Sequence, residues 1–272
     1  MFRKNILLPL LVLLALTLAS CSTGKYSLGN ESTNEPQNAI QKDIQNDSTG
    51  KTGEKSVSSK STNQVSNNGV YDITQSSYVD KGIKIVYPQI TGLSDTNKQK
   101  KINDLIKKDA LKVLDYYKNV GEEVSLDINY DIKLKGTNLL SIQYSGVGNI
   151  KGAAYPKNMF YTTNVDMNNV NKVKLADFVN INEDFVKEFK EGKYVAWDTE
   201  LNSAIELIKE DIKSYNLVNE FKNADSMGEE NTSNSFSYFT KDSLGISIGV
   251  AHALGDHAEF EIKYQDLKDN GL

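Results

Sequence analysis

Val124-Ser-Leu126-Asp-Ile128-Asn-Tyr130-Asp-Ile132-Lys-Leu134 is the stretch on which the reading of the fold depends. An apolar side chain stands at every second position with a polar one between, and period two over this length predicts a long strand buried on one face. Gly136-Thr137-Asn138 supplies a turn, after which Leu140, Ile142 and Tyr144 alternate again as the antiparallel partner. A third strand is predicted over 159–165. Upstream, Gly82-Ile-Lys-Ile-Val-Tyr-Pro88 reads as a strand, with Pro88 marking its end or an edge. A helix follows, capped by Ser94 or Asp95. In it Ile102, Leu105, Ile106, Ala110, Val113, Leu114 and Tyr117 recur at three- and four-residue spacing and form one apolar stripe.

Downstream of this meander, a short helix is predicted around 182–190 and a longer one from about 199 to 217, where Leu201, Ala204, Ile205, Ile208, Ile212 and Tyr215 have helical spacing. Period two then returns three times: Phe236 and Tyr238; Leu244, Ile246, Ile248 and Val250; Ala258, Phe260, Ile262 and Tyr264. Strand, helix, strands, helices, strands with hairpin-length links predict an α+β fold, an antiparallel sheet with amphipathic helices packed on it, rather than a doubly wound parallel sheet.

The N-terminus is read as a targeting segment. Met1-Phe2-Arg3-Lys4-Asn5 is a charged start, 6–18 an apolar run, and Leu18-Ala19-Ser20-Cys21 a small-residue cleavage site before a cysteine. The apolar run, about 13 residues, is short for a crossing that needs roughly 20. The pattern resembles a bacterial lipobox, which makes 1–20 a lipoprotein signal peptide and Cys21 the acylated anchor on the extracytoplasmic face of the membrane. Cys21 is the single cysteine, so an intrachain disulfide or a multi-cysteine metal site has no residues to form it. Two acyl chains also supply the two signals that stable anchoring takes.

From 22 to 69 the chain is Ser, Thr, Asn, Gln, Gly and Lys with seven apolar residues, Tyr26, Leu28, Ala39, Ile40, Ile44, Val57 and Val65. Such a stretch buries too little apolar surface to offset the entropy of ordering it. It reads as a lipidated, disordered linker over 21–69, with an end-to-end distance of roughly 40 Å on the flexible-linker scale. The extracytoplasmic domain is then 70–272, divisible into a first module at about 80–165 and a second at about 166–268.

Removing Arg3 and Lys4 with the signal leaves 29 basic against 36 acidic residues, a net charge of −7. Arg3 is the only arginine. Without guanidinium forks or a basic excess, nucleic-acid binding is excluded as an expectation, because affinity there rests on phosphate neutralisation. A basic partner or a neutral ligand suits an acidic domain better.

Local wording adds a resemblance. Tyr87-Pro88-Gln89-Ile90-Thr91-Gly92-Leu93 followed by the helix containing Asn103, and Leu139-Leu-Ser-Ile-Gln-Tyr144, resemble a domain-of-unknown-function module found before the catalytic domain of some peptidoglycan deacetylases. Tyr161-Thr-Thr-Asn-Val-Asp166, Val173-Lys-Leu175-Ala-Asp177-Phe178, Phe239-Thr-Lys-Asp-Ser-Leu244 and Ala258-Glu-Phe260-Glu-Ile262-Lys-Tyr264-Gln-Asp-Leu267 resemble its companion module. The pair also forms the extracellular part of the lysozyme-sensing anti-sigma factor RsiV, and the resemblance runs over roughly 80–268. It implies an extracytoplasmic binding or sensing module of the cell wall, with lysozyme or peptidoglycan fragments as partners, and not a known catalyst. The sequence departs from the family pattern at two turns. Gly152-Ala153-Ala154-Tyr155 stands where a Gly-Gly-Ala-His-type turn is usual, and His252-Ala-Leu-Gly255-Asp-His257 where an aromatic-rich turn is usual.

Candidate chemistry is sparse. His252, Asp256, His257 and Glu259 bring imidazole and carboxylate together, the donor types that hold zinc, but across a Gly255-Asp256 turn they do not share a face, and a polar hairpin is the preferred reading. Both histidines lie in that one turn, so a nucleophilic triad is not expected. Gly146-Val-Gly148-Asn-Ile-Lys-Gly152 is read as a flexible hairpin loop, since its third glycine is misplaced for a dinucleotide loop. Tyr144, Tyr155, Tyr161 and Trp197 are candidate aromatic surfaces for a sugar ring or a protein partner, or else packing residues. No cofactor is expected. The alternative to a binding or sensing domain is a cell-wall glycan hydrolase using a pair of carboxylates that sequence cannot select among the 36 acids. A two-lobed solute-binding protein is disfavoured by the lack of alternating βαβ halves.

Overall fold

A computed structural model describes residues 71–229 and 233–267, which lie in the compact unit Thr62–Leu272. The signal peptide, Cys21 and the linker over 21–69 lie outside the described residues. In chain order the elements are β1 (Asp72–Asp80), β2 (Ile83–Thr91), α1 (Thr96–Ala110), α2 (Val113–Tyr117), β3 (Val124–Lys135), β4 (Leu139–Ile150), β5 (Lys157–Asp166), β6 (Asn171–Lys172), α3 (Leu175–Phe178), α4 (Glu183–Glu191), β7 (Lys193–Val195), α5 (Ile205–Asp211), α6 (Leu217–Lys222), β8 (Ser235–Phe239), β9 (Ser243–Gly249) and β10 (His257–Lys263). The fold is α+β as the periodicities predict, but it carries two sheets. One has the order β1-β2-β3-β4-β5-β6 and the other β7-β10-β9-β8. Neighbours are antiparallel except β2 and β3, which run parallel because the α1–α2 crossover returns the chain to the same end of the sheet.

The period-two stretch forms β3 and pairs with β4 from Val124↔Ile150 to Lys135↔Leu140, with one register shift between Ile132 and Leu134. The glycine run read as a loop is instead largely strand. Gly146 and Gly148 belong to β4, and only 151–156 turns the chain. A β-carbon on Gly146 would lie 2.0 Å from the Asp127 carbonyl oxygen of β3, so close approach of the two strands requires glycine here.

β1 precedes the first strand read from the sequence. Its side chains are mostly exposed, which leaves little apolar alternation to detect. β2 has β3 beside it only over Ile83–Ile85, and farther along the Asn103 side chain of α1 acts as a substitute strand. Asn103 accepts from the Ile90 amide at 2.8 Å and donates to the Ile90 carbonyl at 3.0 Å. Pro88 is tolerated inside β2 because it pairs with Gln75 of β1 on one side and lies beyond the stretch paired with β3 on the other.

Asp95 is the cap of α1, accepting from the Lys98 amide at 2.9 Å. The stripe breaks at Leu111-Lys112 into α1 and α2, and the Ala110 carbonyl at the break accepts the Tyr161 hydroxyl at 2.7 Å. The long helix predicted over 199–217 is likewise interrupted. Short 3-10 turns at Thr199–Ala204 and Ile212–Ser214 flank α5, and Asn216 caps a separate α6 by accepting from the Asn219 amide. Asn202, Ser203, Ser214 and Asn216 are residues that prefer caps and turns to helix interiors, so the apolar spacing survives while the helix does not.

Each sheet has its own core. Ile85, Ile102, Ile106, Leu126, Ile142 and Val165 fill the first against α1 and α2; Phe185, Phe189, Phe221, Ile246 and Phe260 fill the second against α4 and α6. Phe236 and Tyr238 lie on the opposite face of β8 and enter the first core. β8 therefore presents a strand edge to the first sheet, and side chains satisfy it. The Phe239 amide donates to Ser141 Oγ at 2.9 Å, and Asn164 Nδ2 donates to the Ser237 carbonyl at 2.9 Å. At the centre sits Asp225, fully buried with a left-handed φ of 62°. Its carboxylate accepts from the amides of Leu175 and Ser237 and from the hydroxyls of Ser237 and Thr162.

Candidate functional site

The two turns where the sequence departs from the family pattern meet in space. Tyr155, on the β4–β5 turn, stacks on His252 of the β9–β10 turn with ring centroids 4.9 Å apart. Asp256, held at φ 70° after Gly255 at φ 99°, accepts from the Asn158 amide at 2.8 Å and lies 3.0 Å from His252 Nδ1. The β9–β10 turn is tied from behind as well, since Asp211 of α5 accepts from the Ala251 amide at 3.0 Å. Its approach is close: a β-carbon on Gly255 would meet Leu201 at 2.9 Å and the Trp197 ring at 3.3 Å.

β10 then carries His257 inward, 7% exposed, between the rings of Trp197 and Phe160 at 5.4 and 4.9 Å. Glu259 follows two residues on along β10 and is 3% exposed. His257 Nε2 is 3.8 Å from Glu259 Oε1, too far for a hydrogen bond. Burial holds the imidazole down to about 4, against a weaker opposing pull from Asp256. Burial raises the Glu259 carboxyl, opposed by Lys133 and by the Tyr238 hydroxyl. At neutral pH the imidazole is therefore uncharged and stacked among aromatic rings.

This has a measurable consequence. His257 titrates near 6.5 when unfolded and near 4 when folded, so the unfolded chain binds more protons between those values. Its stabilising contribution is complete above pH 6.5 and is lost as pH falls toward 4. We expect the stability of the wild type relative to His257→Gln to fall by about 3 kcal/mol over that window, measured by urea unfolding at a series of pH values. A difference that stays flat with pH would contradict the buried neutral imidazole.

Of the four aromatic candidates, Tyr155 and Trp197 are exposed by 68% and 43% and belong to this rim. Tyr144 and Tyr161 do not. They are 0% and 2% exposed and stack on each other 4.7 Å apart inside the first core, where Tyr161 also holds the end of α1, so neither offers a surface to a ligand. His252, Asp256 and His257 share the rim, yet among the described residues no three His, Cys, Asp or Glu side chains converge as a metal site would require.

Beneath the rim, between β5 and the β8–β9 pair, lies a cavity of about 580 Å³ whose lining includes Phe160, Phe236, Met227, Ser247, Asn234 and His257. Sequence reasoning missed Phe236 and Ser247 as site residues, because they are ordinary members of period-two strands and only the sheet-to-sheet approach turns their face into a cavity wall. A larger recess of about 760 Å³ beside β7 is ringed by charged side chains including Glu191, Lys193, Glu261 and Lys263.

No protein-family model matches the sequence, and no curated protein matches it. Among solved structures the chain is similar to a member of the DUF3298 family from Bacteroides fragilis, at 13% identity over 75% of this chain and 95% of that one, with a TM-score of 0.42. It is also similar to a DUF3298 family protein from Pseudomonas aeruginosa, at 12% identity over 72% of this chain and 90% of that one, with a TM-score of 0.43. The functional reading rests on the cavity and its residues instead.

Proposed function

We propose that this chain is a lipid-anchored, extracytoplasmic, non-catalytic binding or sensing domain of the cell envelope, whose ligand is lysozyme or a peptidoglycan fragment. The cavity carries the reading. Its lining mixes polar side chains such as Asn158, Asn216 and Asn234 with Phe160, Phe236 and Met227, and its rim offers the exposed rings of Tyr155 and Trp197 to a partner. The carboxylates nearest to it are committed to the fold: Asp256 to Asn158 and His252, Glu220 to Ser233, Asn234 and Ser235. That occupation favours binding over the paired-acid hydrolase alternative, which needs carboxylates free to exchange protons. The Leu18-Ala19-Ser20-Cys21 pattern supports the anchor.

Two measurements test it. Metabolic labelling with an alkyne fatty acid should tag the full chain and place it in the membrane fraction, and Cys21→Ala should lose both. Calorimetric titration of the unit Thr62–Leu272 with lysozyme, and separately with soluble muropeptides, at low and high salt should give heat with one of them. Salt-sensitive heat with lysozyme identifies an acidic receptor surface. A folded unit that gives no heat with either ligand removes the reading, and solubilisation of purified wall material by the chain would replace it with the hydrolase.

A further inference from the structure

We infer that the exposed face of α1 is a docking surface for an anionic lipid bilayer, with Lys100, Lys101, Lys107 and Lys108 set against phosphate headgroups. The inference rests on the envelope-anchored reading, which brings the domain to a bilayer, and goes beyond it by naming the face turned to the membrane.

Helical spacing puts these lysines together. Residues 100, 101, 104, 107 and 108 lie on one side of α1 and are exposed, while Ile102, Ile106, Asp109 and Ala110 are buried. An ordinary solvated helix face mixes its charges and closes them into pairs one turn apart. Here Asp104 is the one carboxylate of the stripe and Lys100 holds it at 2.6 Å, whereas among the described residues Lys101, Lys107 and Lys108 make no ion pair. Lys112 and Lys172 differ, since both are paired with the buried Asp109. Four lysines less one aspartate leave the stripe three positive charges, on a chain whose formal net charge is −5.

Two features select a bilayer as the occupant. The first is charge. Lysine is a point cation without the fork that fits arginine to one phosphate, and a row of lysines along a helix suits a plane of anionic headgroups. The stripe itself contains no apolar residue for a protein partner to bury. The second is where the chain enters the fold. Tyr71, the first described residue, leads into β1, where Asp72 pairs with Thr91. A β-carbon on Gly92 would lie 3.9 Å from the Tyr71 α-carbon, and α1 begins shortly after, at Thr96. The linker read over 21–69 therefore reaches the domain beside the N-terminal end of α1. Its length of roughly 40 Å exceeds the about 22 Å of a 15-residue helix, so an acyl group on Cys21 leaves α1 free to lie along the bilayer.

The test is reductive methylation of lysines, read by mass spectrometry, on the full-length chain reconstituted in vesicles of phosphatidylcholine alone or mixed with phosphatidylglycerol. A lysine near an anionic surface is worth about fivefold in partitioning. We expect Lys101, Lys107 and Lys108 to react at least about fivefold more slowly on the mixed vesicles, and Lys209 of α5 to react equally on both. The protection should vanish at about 1 M salt, where the screening length is about 3 Å. Lys101→Glu combined with Lys107→Glu should return Lys108 to its rate on phosphatidylcholine, with the thermal midpoint unchanged because both side chains are exposed. Flotation with both vesicles but equal labelling of α1 overturns the inference and leaves the anchor standing. The same protection produced on phosphatidylcholine by soluble polyphosphate gives the face to a free polyanion and overturns the bilayer. Flotation with the mixed vesicles alone, lost in the double variant, keeps the α1 face and removes the acyl anchor; flotation with neither removes both.

Discussion

Asp225→Asn is expected to lower the unfolding free energy by about 3 kcal/mol or more, the range for breaking a buried charged hydrogen-bond cluster. The carboxylate accepts four bonds from three elements: the Leu175 amide that opens α3, the Thr162 hydroxyl of β5, and the amide and hydroxyl of Ser237 in β8. An amide side chain keeps one oxygen and turns the other position into a donor, which faces existing donors. Burial raises the Asp225 carboxyl, while Lys172 and the bonds from Ser237 and Leu175 pull it down. Asparagine tolerates the left-handed φ of 62° about as well as aspartate, so the substitution isolates the lost acceptor from backbone strain. Urea unfolding followed by circular dichroism reads the change. Because Thr162 and Ser237 belong to different sheets, the sheet-to-sheet junction should loosen first, and Trp197 emission should shift before global unfolding. A loss under 1 kcal/mol would show that the cluster does not hold the sheets together.

The second large effect is expected at Gly146. Gly146→Ala puts a β-carbon 2.0 Å from the Asp127 carbonyl oxygen and 2.8 Å from the Ile128 α-carbon, both backbone atoms of β3. Backbone in the middle of a paired strand cannot swing aside as a side chain can, so the strands must part or the register must slip. We expect a loss of about 3 kcal/mol, at the upper end of overpacking costs. Gly121→Ala is the matched control: its β-carbon would meet nothing within 4 Å, and the change should stay within about 0.5 kcal/mol. Equal stability of the two variants would return residues 146–150 to the loop that sequence alone assigned.

That misassignment shows where local pattern stops carrying information. Glycine at 146 and 148 reads as flexibility in a linear window, yet the residue type answers to β3 and to the Tyr117 hydroxyl, which stands 2.3 Å from a β-carbon built on Gly148. The same limit explains the helix over 199–217. Its apolar stripe is real, since Ile208 and Ile212 are buried, but spacing records which side chains face the core and not whether the backbone between them stays helical. It also explains the tyrosines. Tyr144, Tyr155 and Tyr161 are one residue type with one set of chemical options, and only burial separates the two that stack in the core from the one that stacks on His252.

By itself the sequence determined the elements whose periodicity is strict: β3, the first half of β4, β5, the three C-terminal strands, and a helix capped by Ser94 or Asp95, together with the acidic balance, the lack of arginine beyond Arg3 and the lone Cys21. These follow from which side of a strand or helix is apolar, a property each segment carries alone. Tertiary structure decided the parallel placement of β2 beside β3, the division into two sheets, the burial of Asp225 between them, and the meeting of the Tyr155 and His252 turns nearly a hundred residues apart. The physical reason is that hydrophobic burial is non-directional: alternation says that a face must be covered, and only the packed whole says by what.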